Sequence, residues 1–387
     1  MADADSPTML PRSRTTYWLI ALLILCAIGI FAACKTYGFE RSIPEFHVMS
    51  LMLAALALMA TAGLWLQKPG ALWVTLVAVS FAATLDLFLW SMNILRTWIA
   101  LNVVVLCVIA VLAFRLGPPL GRNVSVYQRA LYAWVLCFAA WVAFWGLFRP
   151  ASVLRALPFT VPPLHARFLG SMYLSGAVFM ALALVAREWY RVRVVTLMLA
   201  VWTGMLGIIS LFHLNAFAWS RDQTWFWFFA YICFPLVALW IVWCQRSQND
   251  HPAGPHLSPG LRVYLYVQGA AAVLVALALL CAPQFMATVW PWKIPLVLAH
   301  LYGAPFLSFG IGSIYAARQQ AWSEVRIVTF STLVFAVSVL VASKLHIKLF
   351  DLHSSSAWIW FGGFGFVSVA LLLFSVVPSL RNASQAE

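Results

Sequence analysis

Twelve stretches of this chain are each apolar over roughly the 20 residues that an α-helix needs to cross a hydrocarbon core. They occupy residues 15–35, 48–67, 71–90, 97–115, 127–148, 164–186, 194–214, 225–244, 261–282, 295–317, 325–344 and 357–378. Lipid offers no water to bond an open backbone group, so a single segment can span only as a helix that satisfies its own N–H and C=O groups. The pattern predicts an all-α fold, a polytopic transmembrane bundle of about twelve spans.

Composition closes off a soluble alternative. Of 387 residues, 64% are hydrophobic and 9% charged, against roughly 45–50% apolar and about 25% charged in a soluble domain. The remaining charge is net +13, but Lys and Arg stand between apolar runs instead of clustering, as loop charges that orient spans do. This points to a lipid bilayer as partner and away from nucleic acid, and it names no protein partner. The cysteines, Cys26, Cys34, Cys107, Cys137, Cys233, Cys244 and Cys281, include no CxxC pair and read as packing residues.

Arg12 and Arg14 precede the first span, and Arg115, Arg122, Arg129, Arg187, Arg191, Arg193, Arg246, Arg262, Arg318, Arg326 and Arg381 follow alternate turns. By the positive-inside rule both termini are expected in the cytoplasm of a multi-pass protein of the plasma membrane, read as a bacterial inner membrane. The bias is modest, because Lys35, Arg41, Arg149, Arg155, Arg221, Lys344 and Lys348 fall on the opposite side. A rival reading takes Arg12, Arg14, the first apolar run and Phe31-Ala32-Ala33-Cys34 as a signal segment with a lipidated cysteine; an uncleaved first helix is simpler, since the run is long enough to span. The sequons at Asn123 and Asn382 lie on the expected cytoplasmic side. The longest link, Arg246 to Leu261, is rich in Pro, Gly and Ser and reads as a hinge. His251 and His256 within it lack the Cys or acidic company of a metal site.

Shifting the chain by 133 residues aligns 129–227 with 262–360 without a gap. Arg129 meets Arg262, Pro150 meets Pro283, Pro162 meets Pro295, Gly170 meets Gly303, Ser175 meets Ser308, Trp189 meets Trp322 and His213 meets His346. Phe217 meets Phe350, and Trp225 and Trp227 meet Trp358 and Trp360. The shifted segment holds four spans, so its copies enter the membrane in the same direction, as parallel repeats. A degenerate further copy over 15–115 is suggested by Asp86, which precedes Trp98 by the spacing that separates His213 from Trp225. The expected organisation is a cytoplasmic tail 1–14, a degenerate four-helix unit 15–115, a second unit 127–245, a cytoplasmic linker 246–260, a third unit 261–378 and a tail 379–387.

A first helix ending in Pro, a loop such as Trp290-Pro291-Trp292 with Pro295, a second helix carrying Gly303 and two further spans resemble the four-helix unit of DoxX-like bacterial membrane proteins. The likeness covers most of the last two thirds of the chain and implies a fold. DoxX itself is linked to quinone-coupled sulfur oxidation, which nothing in these residues displays.

Ionisable groups inside a membrane are costly, about 2.5–3.5 kcal/mol at a helix centre, so each retained one asks for a reason. Asp86, in Leu85-Asp86-Leu87, reads either as a proton or cation site or as a carboxylate bonded to a neighbouring helix. His213 and His346 fall at the outer ends of their spans, each with an aromatic four residues on, placed by helical spacing on the same face. Imidazoles there suit haem iron, a quinone oxygen or proton relay, and equally suit interfacial packing. Arg193 and Arg326 read as anchors to lipid phosphate. His165, Arg167 and His300 open their spans on the outer side, where they fit an anionic or quinone-like headgroup or simple snorkelling. Trp225, Trp227, Trp358 and Trp360 read as interfacial aromatics.

The chain has no P-loop, HExxH, GxSxG or close carboxylate pair, which disfavours phosphoryl transfer and zinc or serine hydrolysis. Two functions fit the whole. One is a non-enzymatic membrane protein that binds or moves a small apolar, lipid-like molecule or supports other membrane proteins. The other is a redox protein holding haem or a quinone through His213 and His346 near the outer face, with or without Asp86.

Overall fold

The computed structural model describes residues 13–36, 44–68, 70–91, 96–248 and 252–383. Arg12, Arg41 and His251 lie outside these residues, as do the side chains of Cys34, Lys35, Trp98, Arg381 and Asn382. Among the described residues the fold is all-α, and the only β pairing is an isolated bridge between His256 and Ala321. The helices are α1 (Arg14–Thr36), α2 (Pro44–Trp65), α3 (Ala71–Ser91), α4 (Arg96–Leu116), α5 (Val126–Phe148), α6 (Pro163–Val185), α7 (Arg193–Phe212), α8 (Asp222–Cys244), α9 (Pro259–Cys281), α10 (Pro283–Val289), α11 (Leu296–Ala317), α12 (Trp322–Leu345) and α13 (Ser355–Ala383). Among the described residues nine of them are long and apolar enough to cross a membrane, and Arg14–Gly29, Ala71–Leu87 and Asn102–Leu116 are shorter apolar stretches. This is an integral, multi-pass α-helical membrane protein.

Proline sets several of the helix starts. Pro163, Pro259 and Pro283 occupy the first turns of α6, α9 and α10, where the missing N–H is one that no helix could pair. Exposed Leu, Val, Ile and Phe side chains run along α8, α9 and α13, the faces that lipid would cover.

The chain forms two compact units, Met1–Cys137 and Phe138–Glu387. In the first, α1 packs on α2 and α4, and α3 packs on the same two helices. Leu19, Leu23, Ala60, Leu64, Ala71 and Ile109 make its centre. The Arg129 guanidinium, at the start of α5, lies 3.5 Å over the Trp73 ring of α3.

In the second unit α6 packs on α12 and α7 on α11, while α8 flanks α7, α13 flanks α12 and α9 lies along α11. Two hydroxyls fasten the central four helices: Ser175 Oγ donates to the Ser331 carbonyl at 2.7 Å, and Ser308 Oγ donates to the Met198 carbonyl at 2.7 Å. Donors 175 and 308, and acceptors 198 and 331, stand 133 residues apart. The outer helices are tied by the same rule, with Trp227 Nε1–H on Ser210 Oγ at 2.8 Å and Trp360 Nε1–H on Ser343 Oγ at 3.0 Å.

The connector after α8 is not a free hinge over its described part. Leu257 N–H donates to the Gln320 carbonyl, Trp322 N–H to the Pro255 carbonyl and Ser323 Oγ to the Ala253 carbonyl, so residues 253–257 lie along the turn that starts α12. Pro and Gly break helices without making a segment loose when its backbone groups find partners elsewhere.

Along α9 and α11 the backbones approach until only glycine fits. A Cβ at Gly310 would meet the Val273 backbone nitrogen at 2.8 Å, whereas one at Gly362 meets nothing within 4 Å. Replacing Gly310 with Val should force the helices apart and cost about 1–3 kcal/mol, and Gly362→Val should cost almost nothing; thermal unfolding in mild detergent separates the two.

Candidate functional site

His213 and His346 sit in the same backbone setting. His213 caps α7 with φ −126° and ψ 35°, His346 caps α12 with φ −118° and ψ 26°, and a single 3-10 turn follows each, Leu214–Ala216 and Ile347–Leu349. The helices stop one residue before the histidines, so Phe217 and Phe350 do not share a helical face with them. Instead the turn carries each phenylalanine inward, to 6% exposure, against Trp227 and Trp292 respectively.

Each histidine meets a residue from the first turns of the helix packed beside its own. His213 Nε2 and His300 Nδ1 share a hydrogen bond at 2.9 Å. Arg167 donates through Nη1 to His346 Nε2 and through Nε to the Leu147 carbonyl at 3.2 Å. His300 is bonded likewise to the Leu280 backbone. Positions 147 and 280, 167 and 300, and 213 and 346 are all separated by the same 133 residues. Four of the residues expected at the outer side are thus brought together as two pairs that bridge helices.

His165 is buried, and snorkelling does not describe it. Its Nε2 lies 3.1 Å from the Lys293 carbonyl and its Nδ1 2.7 Å from the Tyr302 hydroxyl. A carbonyl only accepts, so Nε2 carries the proton and the tyrosine donates to Nδ1. Around this dyad Phe168, Trp290, Trp292 and Trp360 pack edge-to-face or tilted against one another and against Tyr302, with ring centroids 4.7–6.3 Å apart. Trp360 and its counterpart Trp227 are buried, at 7% and 3% exposure, whereas Trp358 and Trp225 are 68% and 62% exposed. Residues two apart on a helix point to nearly opposite sides, so only the first Trp of each pair reaches the interface expected for both.

At the other end of the unit, Arg193 is not a lipid anchor. It pairs with Glu324, which is fully buried, and with Gln319. Glu324 Oε2 also accepts from the Gln320 and Ala321 N–H groups at 2.9 Å each. The reading of the residues did not single out this carboxylate; the available signal was an acidic residue three positions into a helix, the capping position. Arg326, two residues on from Glu324, is exposed as an anchor should be. In the first unit Asp86 is 8% exposed and accepts from Asn102 Nδ2 at 2.6 Å, joining α3 to α4.

The histidine pairs do not fit haem as they stand. Two imidazole nitrogens on one metal ion lie about 4 Å apart, at roughly 2 Å each, whereas His213 and His300 are in direct contact and His346 Nε2 faces a guanidinium. No group of three His, Cys, Asp or Glu side chains that could hold a metal occurs among the described residues. A cavity of about 10 Å³, lined by Leu157, Phe159, Leu169, Met172, Tyr173 and Trp202 among others, has room for about one water. No protein-family model, curated protein or solved structure matches the chain.

Two outcomes follow from this geometry. Removing the buried acid, Glu324→Ala, should cost about 3 kcal/mol or more, because it strands a half-buried arginine and two backbone donors; the loss is read by thermal unfolding. For His346, burial first and then the Arg167 charge push the imidazole below the usual histidine range. Folding therefore favours its neutral form, a stabilisation present above the ordinary value near roughly 6.5 and lost as pH falls through the lowered one. The melting temperature should drop between neutral and mildly acidic pH, and drop less in His346→Gln.

Proposed function

We infer that the chain binds or moves a small apolar, lipid-like molecule and catalyses no reaction, as a plasma-membrane protein of about twelve spans with both termini in the cytoplasm. The observation that carries this reading is where the ionisable side chains of the second unit lie. His165, Arg167 and His300 stand in the first turns of α6 and α11, His213 and His346 just beyond α7 and α12, and Arg193 and Glu324 at the opposite end. Between the two ends the interior is mostly aromatic and aliphatic and, among the described residues, carries no charged side chain; Tyr173 bonds Tyr231, and Tyr264, Ser331 and Gln268 leave a few polar atoms without a protein partner. Such an interior offers no charge to an ion and is compatible with a greasy chain.

The same proposal includes parallel four-helix repeats. The pairs that recur at one shift support it, namely the two seryl latches, the two Trp-to-Ser bonds and the two rim pairs. Reciprocity is the point: helix two of each copy packs on helix three of the other. The DoxX-like character of the unit belongs to this proposal and rests on the Pro and Gly positions alone.

Reconstitution into liposomes with a fluorescent short-chain phospholipid tests the reading. Accelerated exchange of the probe between leaflets, or its saturable retention by the purified protein, is the expected result; neither in the presence of folded protein removes it. A Soret band or stoichiometric quinone lost in His213→Ala or His346→Ala would favour the redox alternative instead.

A further inference from the structure

The two rim pairs share a geometry and differ sharply in charge. His300 has two partners, His213 and the Leu280 backbone, and an imidazole has two ring nitrogens. Arg167 has the corresponding partners, His346 and the Leu147 carbonyl, but a guanidinium carries five N–H donors. Two of its nitrogens are held in place, and Nη2 donates to no protein acceptor among the described residues. Its charge is also uncompensated. Of the described acids in this unit, Glu188 pairs with Arg191, Glu324 with Arg193, and Asp351 accepts from the His353 N–H. Asp222 opens α8, and none of the four is in an ion pair with Arg167.

The surroundings repeat the contrast. Arg149 lies two residues from Leu147, and Lys344 and Lys348 lie two residues either side of His346. At the sister pair the same positions are Ala282, Leu211 and Asn215. Four cationic positions on one side of the unit are neutral on the other, so the charge does not belong to the fold. Beside Leu147, Phe148 is 71% exposed, an aromatic surface next to the cation.

We propose that Arg167, fixed by Leu147 and His346, with Arg149, Lys344 and Lys348 within two residues of those two partners along the chain, is a single site for a phosphate-type oxyanion, with Phe148 taking the first part of an attached apolar chain. The proposal deepens the lipid-like reading above by naming the headgroup, and it rests on that reading. A guanidinium pre-set by two bonds meets a phosphate oxygen without further ordering, and the three flanking cations raise the local anion concentration. The sister pair, which has no guanidinium and in which both His300 nitrogens are engaged, binds none.

The test uses the full chain in nanodiscs. In discs of phosphatidylcholine with a minority of phosphatidylglycerol, native mass spectrometry should find one phosphatidylglycerol retained per chain. Arg167→His, which installs the residue already used at the sister position, should weaken retention about tenfold, the worth of one charge-assisted bond. Lys344→Gln with Lys348→Gln should weaken it without touching the packed pair, so the result stands even if Arg167→His unfolds. Arg326→Gln, which removes one positive charge at the other end, should leave it unchanged. In discs of phosphatidylcholine alone, millimolar inorganic phosphate raising the melting temperature of the wild type but not of Arg167→His would assign the site to a free anion. Equal retention by wild type, Arg167→His and the double lysine variant overturns the site while leaving lipid binding standing. No retention and no phosphate effect in the folded wild type overturns the site, and absence of any bound or exchanged lipid removes the wider reading with it.

Discussion

In hydrocarbon a polar group has no solvent to fall back on, and this condition governs the second unit from its backbone outward. Helices dispose of the main chain, but loops, caps and side chains must be satisfied one by one. The chain does so for most groups by moving charged side chains to the two ends and by using serine and threonine hydroxyls in between, while the ring N–H groups of Trp145, Trp290 and Trp292 stay buried without a protein partner. Thr196, Thr203, Ser210, Thr329 and Thr332 each donate to a carbonyl four residues back. Ser175 and Ser308 instead donate across a helix boundary. A hydroxyl that bonds another helix holds it by an acceptor that lipid cannot replace, which is how a nearly uncharged interior still has a defined register.

The rim pairs and the buried Glu324 act at opposite ends with different chemistry. At the Glu324 end, one carboxylate gathers Arg193 and two backbone N–H groups, so its charge is shared among three donors, while Arg193 also donates to Gln319 Oε1. At the other end, the histidines meet partners that are neutral or cationic, and no acid joins them. The first arrangement closes on a carboxylate, and the second joins helices through a guanidinium and imidazoles with no acid among their hydrogen-bond partners in the described residues.

The helices were nearly all legible in the sequence, because a span announces itself by twenty apolar residues in a row and no tertiary contact is needed to recognise one. The windows 127–148, 164–186 and 261–282 fall within a residue or two of α5, α6 and α9. The single-register match of Ser175 with Ser308 and His213 with His346 was also readable, but its meaning was not. Nothing local shows that Ser175 would reach Ser331, or that Arg167 would meet His346, since these contacts join residues more than 150 apart. Glu324 was missed for a related reason: three residues into a span it looks like a boundary charge, and only the packing of α12 on its neighbours buries it. The tryptophans of the W-x-W pairs failed in the opposite sense, because composition places tryptophan at interfaces on average and cannot say which of two faces inward.

The two seryl latches have a mechanical consequence. One fastens α6 to α12 and the other α7 to α11, each at 2.7 Å. Because they join different helix pairs, loss of one hydroxyl loosens one contact and leaves the other fastened.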